Sequence, residues 1–69
     1  MTENLINVEL IFREMENRGR VSAEVWEIKE WTQLPLHQIV TAVESNKDLF
    51  TLLKGSEDPL RWAVGKNRS

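Results

Sequence analysis

The sequence has no cysteine, only one histidine and no long apolar run, and each absence excludes a class of structure. Without cysteine, neither a disulfide nor a cysteine-based zinc site can stabilise the 69-residue chain, so its stability depends on one hydrophobic core. No segment approaches the roughly 20 apolar residues that a membrane helix needs. The N-terminus is acidic and polar, unlike a secretory signal peptide. We therefore expect one soluble cytoplasmic domain that has no membrane partner and no cofactor.

Positive charge is scarce and unevenly distributed. The formal net charge is −2, with seven carboxylates against four bases in residues 1–34 and four carboxylates against five bases in residues 35–69. Residues 32–46 (TQLPLHQIVTAVESN) contain no lysine or arginine. Such a chain does not attract nucleic acid at long range, so any contact with phosphates must be local.

The residue patterns of catalytic sites are also missing. His37 is the only histidine, and it lies at the expected start of a helix, with no cleft behind it. The chain has no glycine-rich phosphate loop and no EF-hand pattern, and its carboxylates lie on amphipathic helices, where solvated charge is usual. The sequence therefore predicts a binding protein and not an enzyme.

Apolar residues recur at helical spacing in the first half of the chain. The first helix is predicted over residues 3–17, after the capping residue Thr2 and before Gly19, which suits a left-handed helix end. The second helix is predicted over residues 23–31, with Ser22 as its N-cap. The apolar stripe of the first helix should face the core: Leu5, Val8, Ile11, Phe12 and Met15.

The segments on either side of the second helix give two further predictions. Val21 and Trp26 have the spacing of a hydrophobic staple, and residues 20–21 should be extended, pairing over one or two residues with a later strand. Pro35 disfavours helical geometry at Leu34 but suits the first turn of a third helix. One face of the third helix is predicted to be shared by Leu36, Ile39, Ala42, Val43 and Asn46.

After the third helix the apolar spacing changes from helical to alternating. Residues 49–55 (LFTLLKG) and 60–64 (LRWAV) favour two strands, and the turn formers GSEDP between them favour a β-hairpin. The polar, basic residues 66–69 are predicted to be a disordered tail. The second strand should direct three apolar side chains to one side: Leu60, Trp62 and Val64.

This order of elements resembles the winged-helix family. The resemblance covers residues 3–65, and its sharpest part is VSAEVWEIKEWTQLPLHQIVTAVES, where a capped helix, a polar turn, a Leu-Pro step and another helix follow each other. It implies an α+β fold over residues 1–65: a three-helix winged helix-turn-helix with a C-terminal two-stranded β-hairpin as the wing. In DNA-binding members the third helix enters the major groove and the wing touches the backbone or the minor groove.

The resemblance implies a small DNA-binding protein of the transcription-regulator type, with double-stranded DNA as its partner. Gln38 and Thr41 would touch base edges, since glutamine pairs with adenine and threonine offers a hydroxyl and a methyl group. One module of this size contacts few phosphates, so a homodimer is expected. The implied contacts with bases are His37, Gln38, Thr41 and Ser45, and those with phosphates are Lys47, Lys54 and Arg61.

Protein binding is the alternative that the same residues leave open. Val40 is apolar and Glu44 is acidic on the face that DNA would meet, and both suit a protein interface better than a phosphate backbone. The wing tip also carries Glu57 and Asp58, where phosphate-binding wings usually place bases. Trp31, at the end of the second helix, is either a lid over the core or a dimer contact. The alternative interface therefore comprises Trp31, Val40 and Glu44.

Overall fold

The computed structural model describes residues 2–67, with the side chains of residues 5–67. Within this range the fold is α+β and broadly consistent with a winged helix. None of the described helices is long and apolar enough to cross a membrane. The helices are α1 (Thr2–Asn17), α2 (Val25–Thr32) and α3 (Leu36–Glu44), the strands are β1 (Ser22–Glu24), β2 (Phe50–Leu53) and β3 (Ala63–Lys66), and a short 3-10 turn (Pro59–Arg61) precedes β3.

The sheet is antiparallel and has three strands in the order β1-β3-β2. The predicted hairpin is present as β2 and β3, in which Leu52 lies opposite Val64. The third strand, β1, extends the sheet on the other side of β3, with Ala23 opposite Val64. A pairing of this kind was predicted over residues 20–21, and the structure places it slightly later and makes it longer.

The start of α2 corrects the prediction that Ser22 is its N-cap. The N-cap is Glu24, and the Glu27 carboxylate accepts a hydrogen bond from the Glu24 backbone N–H at 3.0 Å, as in a capping box. Because this contact begins the helix at Val25, Ser22–Glu24 remains extended and pairs with β3. Ala23 is buried in that strand, which gives the pairing an apolar contact with the core.

The predicted hydrophobic staple is wrong. Val21 is 66% exposed and Trp26 is 43% exposed, so neither side chain covers the other at the start of α2. With the helix starting at Val25, its buried side carries Val25 and Ile28, and Trp26 lies about 100° around the helix from Val25. The Trp26 indole instead donates a hydrogen bond to the Glu24 carboxylate.

The core lies between the three helices and one face of the sheet. Phe12 of α1 packs edge-to-face on Phe50 of β2, with ring centroids 6.0 Å apart. Leu5, predicted to join the α1 stripe, is instead 61% exposed, because the stripe that meets α3 begins at Val8. The buried apolar residues are Val8, Ile11, Met15, Ala23, Val25, Ile28, Ile39, Ala42, Val43, Phe50 and Val64.

The ends of the helices follow the sequence more closely. Gly19 adopts a positive φ of 65° directly after α1, which confirms its predicted role. Gln33 has a φ of 62° and ends α2, so the chain turns before Pro35. Leu34 packs against the core between the two helices, as predicted. The capping role predicted for the Thr2 side chain lies outside the described residues.

The wing differs from the prediction at its second strand. Leu60 lies in the 3-10 turn and not in a strand, because Asp58 accepts a hydrogen bond from the Leu60 N–H and curls the chain there. Trp62 packs against the core, and β3 then continues to Lys66, beyond the predicted residue 64. Lys66 lies in β3 and Asn67 donates its backbone N–H to the Leu49 carbonyl, so these two residues are not part of a disordered tail, and residues 68–69 lie outside the described residues.

Candidate nucleic-acid interface

The outer surface of α3 carries three of the predicted base-contacting residues. His37, Thr41 and Ser45 follow each other at intervals of four, so they share one side of the helix, and all three are exposed. The opposite side of α3 is buried in the core through Ile39, Ala42 and Val43. We call these three residues, His37, Thr41 and Ser45, the α3 face. Their side chains take part in no hydrogen bond within residues 5–67.

Gln38, the fourth predicted base contact, is separated from the α3 face. Its side chain is half-buried and accepts a hydrogen bond from the Asn7 side-chain amide at 3.3 Å. Asn7 is a buried polar residue of α1, and losing this partner would leave its amide unsatisfied. The structure therefore assigns Gln38 to the contact between α1 and α3. No local pattern indicates this pairing, because the two residues are 31 positions apart in the sequence.

Glu44 and Lys54 form an ion pair that joins the end of α3 to the wing. The Lys54 Nζ lies 2.8 Å from the Glu44 Oε2, and the side chains are 52% and 43% exposed, respectively. The same ammonium lies 5.1 Å from the centroid of the Trp62 ring. Trp62 is held in place because its indole N–H donates to the Ser56 carbonyl at 2.7 Å. The negative charge of Glu44 is thus compensated by a base from the wing.

Lys47 lies on the loop between α3 and β2, on the same side as Lys54. The two lysines and Glu44 surround a shallow depression of about 340 Å3, whose apolar lining comes from Val43, Phe50 and Leu52. Lys47 is exposed, and it has no ion pair with any described residue. This depression next to the α3 face brings two of the three predicted phosphate contacts together.

Arg61, the third predicted phosphate contact, is bound elsewhere. Its Nε lies 3.4 Å from the Glu24 Oε1, at the junction of β1 and α2. Glu24 also accepts the hydrogen bond of the Trp26 indole. Lys54 and Arg61 are therefore paired with carboxylates on different elements, and the structure does not unite all three bases in one patch.

Trp31, predicted as part of a protein interface, is covered by two arginines. The guanidinium carbons of Arg18 and Arg20 lie 4.6 and 5.5 Å from the centroid of its ring. Arg20 also donates two hydrogen bonds of 3.2 Å to Glu27. The Glu24 backbone N–H and the Arg20 guanidinium hold the pKa of Glu27 below its ordinary value. Trp31 therefore belongs to a structural cluster with these arginines.

Trp26, in the first turn of α2, is an exposed aromatic residue, although the sequence predicted it to be part of the hydrophobic staple. It lies beside a depression of about 370 Å3 that Lys29, Glu30, Gln33 and Leu60 also line. Val40, the apolar member of the alternative interface, is half-buried on α3. The spacing of Val25 and Ile28 could have indicated that Trp26 is exposed. When a helix buries Val25 and Ile28, the side chain of Trp26 points toward solvent.

The surroundings of the α3 face show no metal-binding arrangement. Within residues 5–67, no three histidine, aspartate or glutamate side chains are grouped so that they could hold a metal ion. Comparisons of the chain with models of known families, with curated proteins and with solved structures found no match. Function is therefore inferred from the fold and from the geometry of this surface.

Proposed function

We propose that the protein is a small DNA-binding protein of the transcription-regulator type, and that α3 is the helix that enters the major groove. The observation that carries this proposal is the α3 face, on which His37, Thr41 and Ser45 are exposed and make no side-chain hydrogen bond within residues 5–67. Hydroxyl and imidazole groups without intramolecular partners are suited to base edges. The acidic residue on this side of α3, Glu44, is compensated by Lys54.

The phosphate contacts of the proposed complex are Lys47 and Lys54, which border the same depression, with Arg61 paired to Glu24 at the start of α2. Lys54 and Arg61 are both paired with carboxylates, but exposed ion pairs contribute only about 0–1 kcal/mol. A phosphate is therefore able to replace the carboxylate as the partner of either base. Because so few bases are present, affinity should be modest and should fall only moderately with salt, and two copies would be needed for tight binding.

Titration of a fluorescently labelled random-sequence duplex at low salt tests the proposal, with fluorescence anisotropy as the measurement. DNA-binding proteins typically bind non-specific duplex with a Kd of about 10⁻⁴ to 10⁻⁶ M even at physiological salt. We expect binding in the range of tens of micromolar or tighter at low salt, weakening with a slope of about 0.9 in log affinity against log salt for each phosphate contact. Absence of binding at these concentrations would contradict a DNA-binding function.

Two substitutions separate base contacts from phosphate contacts. Thr41→Ala removes a hydroxyl from the α3 face and should weaken binding to a preferred site more than binding to random duplex. Lys54→Ala should weaken both and reduce the dependence of affinity on salt by about one phosphate contact. Lys29→Ala, which removes the same charge from α2, is the matched control and should change neither. Unchanged affinity and salt dependence in Lys54→Ala would exclude its role at phosphates.

A protein interface is the second candidate, and two observations favour it. Trp26 is 43% exposed beside Leu60, and exposed tryptophans are frequent at the centres of protein interfaces. In addition, Lys54 and Arg61 are already occupied by carboxylates. Under this function the random duplex would leave the anisotropy unchanged at low salt. Under DNA binding, Trp26→Ala should leave DNA affinity unaltered, since Trp26 lies on α2 and not on the α3 face.

A further inference from the structure

A single ion pair connects the two elements that the proposed function places on DNA. Glu44 is the last residue of α3, and Lys54 directly follows β2 in the wing. We infer that Glu44 competes with DNA phosphates for Lys54, and that it yields the lysine at sites where a base amino group hydrogen-bonds to the Glu44 carboxylate. This inference rests on the proposed function and adds a residue that determines sequence specificity.

The position of Lys54 is defined by more than the ion pair. Its ammonium lies 2.8 Å from Glu44 and 5.1 Å from the Trp62 ring centroid. The Trp62 indole is hydrogen-bonded to the Ser56 carbonyl in the wing. Lys54 is thus held between α3 and the wing at the edge of the depression that Lys47 also borders. A phosphate placed in this depression would meet two lysines. Lys54 is paired with Glu44, whereas Lys47 has no carboxylate partner within residues 5–67.

The ion pair is weak enough for a phosphate to replace Glu44 as the partner of Lys54. Both side chains are about half exposed, and exposed pairs contribute little to stability, so a phosphate can compete for the ammonium. The exchange has a second cost, because it leaves the Glu44 carboxylate uncompensated beside a polyanion. A DNA site that supplies no donor to Glu44 therefore binds less tightly than one that does.

The groups that can satisfy Glu44 are few. Phosphates and sugars of DNA offer it no proton, whereas cytosine N4 and adenine N6 carry amino groups in the major groove. Glutamate accepts from cytosine N4 in the pairing that the groove geometry favours. When cytosine occupies this position, the carboxylate keeps a partner after Lys54 has moved to a phosphate. The preferred site should therefore contain cytosine opposite the C-terminal end of α3.

Glu57 provides a matched control on the same side of the protein. It is exposed at the wing tip, and it has no ion pair with any described residue. Glu57→Ala removes the same charge as Glu44→Ala and leaves Lys54 paired. A difference between these two variants therefore reports on the ion pair and not on net charge.

The experiment measures the affinity of a random-sequence duplex by fluorescence anisotropy at several salt concentrations. The proteins are the wild type, Glu44→Ala, Glu57→Ala, Lys54→Met and the double variant Glu44→Ala/Lys54→Met. Glu44→Ala should bind the random duplex about fivefold more tightly than the wild type, the change expected from an exposed pair. The slope of log affinity against log salt should steepen by less than the roughly 0.9 of one full phosphate contact, because Lys54 already contacts phosphate in part of the wild-type complexes. Glu57→Ala should change the affinity less than about twofold, with no change in slope.

The remaining variants decide whether the gain in affinity of Glu44→Ala comes from Lys54. In the Lys54→Met background, Glu44→Ala relieves the repulsion between the unpaired carboxylate and DNA but frees no base, so it should leave the salt slope unchanged. Equal gains from Glu44→Ala and Glu57→Ala, or a slope that steepens without Lys54, would overturn the inference while the proposed function stands. If no variant binds duplex at tens of micromolar, both the proposed function and the inference fail.

Selection of bound duplexes from the random pool tests the specificity directly. Sequencing of the pool retained by the wild type should show enrichment of cytosine at one position, and the pool retained by Glu44→Ala should lose that enrichment. Duplex binding without any such enrichment in the wild type, or with the same enrichment in both proteins, would show that Glu44 does not contact a base.

Discussion

Two tryptophans of this protein have basic side chains against their rings, and the bonds made by these basic side chains differ. Trp31 lies under the guanidinium groups of Arg18 and Arg20, and Trp62 lies beside the ammonium of Lys54. In each case a base also contacts a carboxylate, Glu27 in the first cluster and Glu44 in the second. The same three kinds of group therefore occur twice.

The two clusters differ in the number of bonds between base and carboxylate and in the elements that these bonds join. Arg20 makes two hydrogen bonds to Glu27, which also accepts from the Glu24 N–H at the start of α2, so this cluster ties the link after α1 to a helix end. Lys54 is a point charge with one contact to Glu44 at the solvent boundary. The comparison indicates that the Trp31 cluster stabilises the fold, whereas the Trp62 cluster holds a base that can exchange its partner.

The largest effect is expected from Trp31→Ala. Fully buried tryptophans cost about 3–5 kcal/mol on truncation to alanine, and Trp31 is half-buried, so we expect a loss of about 2–3 kcal/mol in the free energy of unfolding. Urea denaturation measures this difference. Trp26→Ala is the control, with an expected loss below about 1 kcal/mol because its ring is exposed. Equal losses in the two variants would remove the structural role of the Trp31 cluster.

Glu27→Gln should have an intermediate effect that depends on pH. Glutamine also fits this position of a capping box, so the variant mainly removes the charge that Arg20 contacts, at a cost of about 1 kcal/mol at neutral pH. The pKa of Glu27 is lowered in the folded protein, from an ordinary value of 4.5 that applies to the unfolded chain. Its contribution is therefore complete above pH 4.5 and is lost as the pH falls through the folded-state pKa.

The measurement for Glu27→Gln is the free energy of unfolding as a function of pH. The difference between wild type and variant should be constant from neutral pH down to about pH 5 and should shrink below that. Glu30→Gln is the matched control on the exposed side of α2 and should not reproduce this profile. A difference that grows on acidification would contradict the assignment.

The smallest effect on stability is expected from Lys54→Met. Its ion pair is exposed, so the free energy of unfolding should change by less than about 0.5 kcal/mol, while the affinity for duplex DNA should fall. Arg20→Met, measured in parallel, should lower the free energy of unfolding by about 1 kcal/mol because it removes two hydrogen bonds. If Lys54→Met destabilises the protein as much as Arg20→Met does, the contrast between the two clusters disappears.

The helices and the hairpin followed from the sequence because their signals are local. The spacing of Ile39 and Val43 placed one side of α3 in the core, and Gly19 marked the end of α1. The strand β1 was misplaced because Ser22 is a good N-cap residue by itself. The contact that sets the helix start is the hydrogen bond from the Glu24 N–H to the Glu27 carboxylate, which leaves Ser22–Glu24 extended and paired with β3.

The candidate site was less predictable, because its charges are paired between distant elements. His37, Thr41 and Ser45 were placed on one surface by helical spacing alone. Gln38 appeared equivalent to them, yet it contacts Asn7 of α1. Glu44 appeared to repel DNA, yet the turn into β2 returns Lys54 to it. Neither contact leaves a trace in local composition, so only the folded chain reveals them.

The strand order has a consequence for the way the chain assembles during synthesis. β3 is the central strand although it is translated last of the three, and β1 and β2 make no pairing with each other. Neither outer strand can find its partner before residue 66 is translated, whereas the helices form from contacts closer in the chain. Joining Ser22 to Gly65 closes a long loop, so the pairing of β1 with β3 is the non-local contact that should slow folding most.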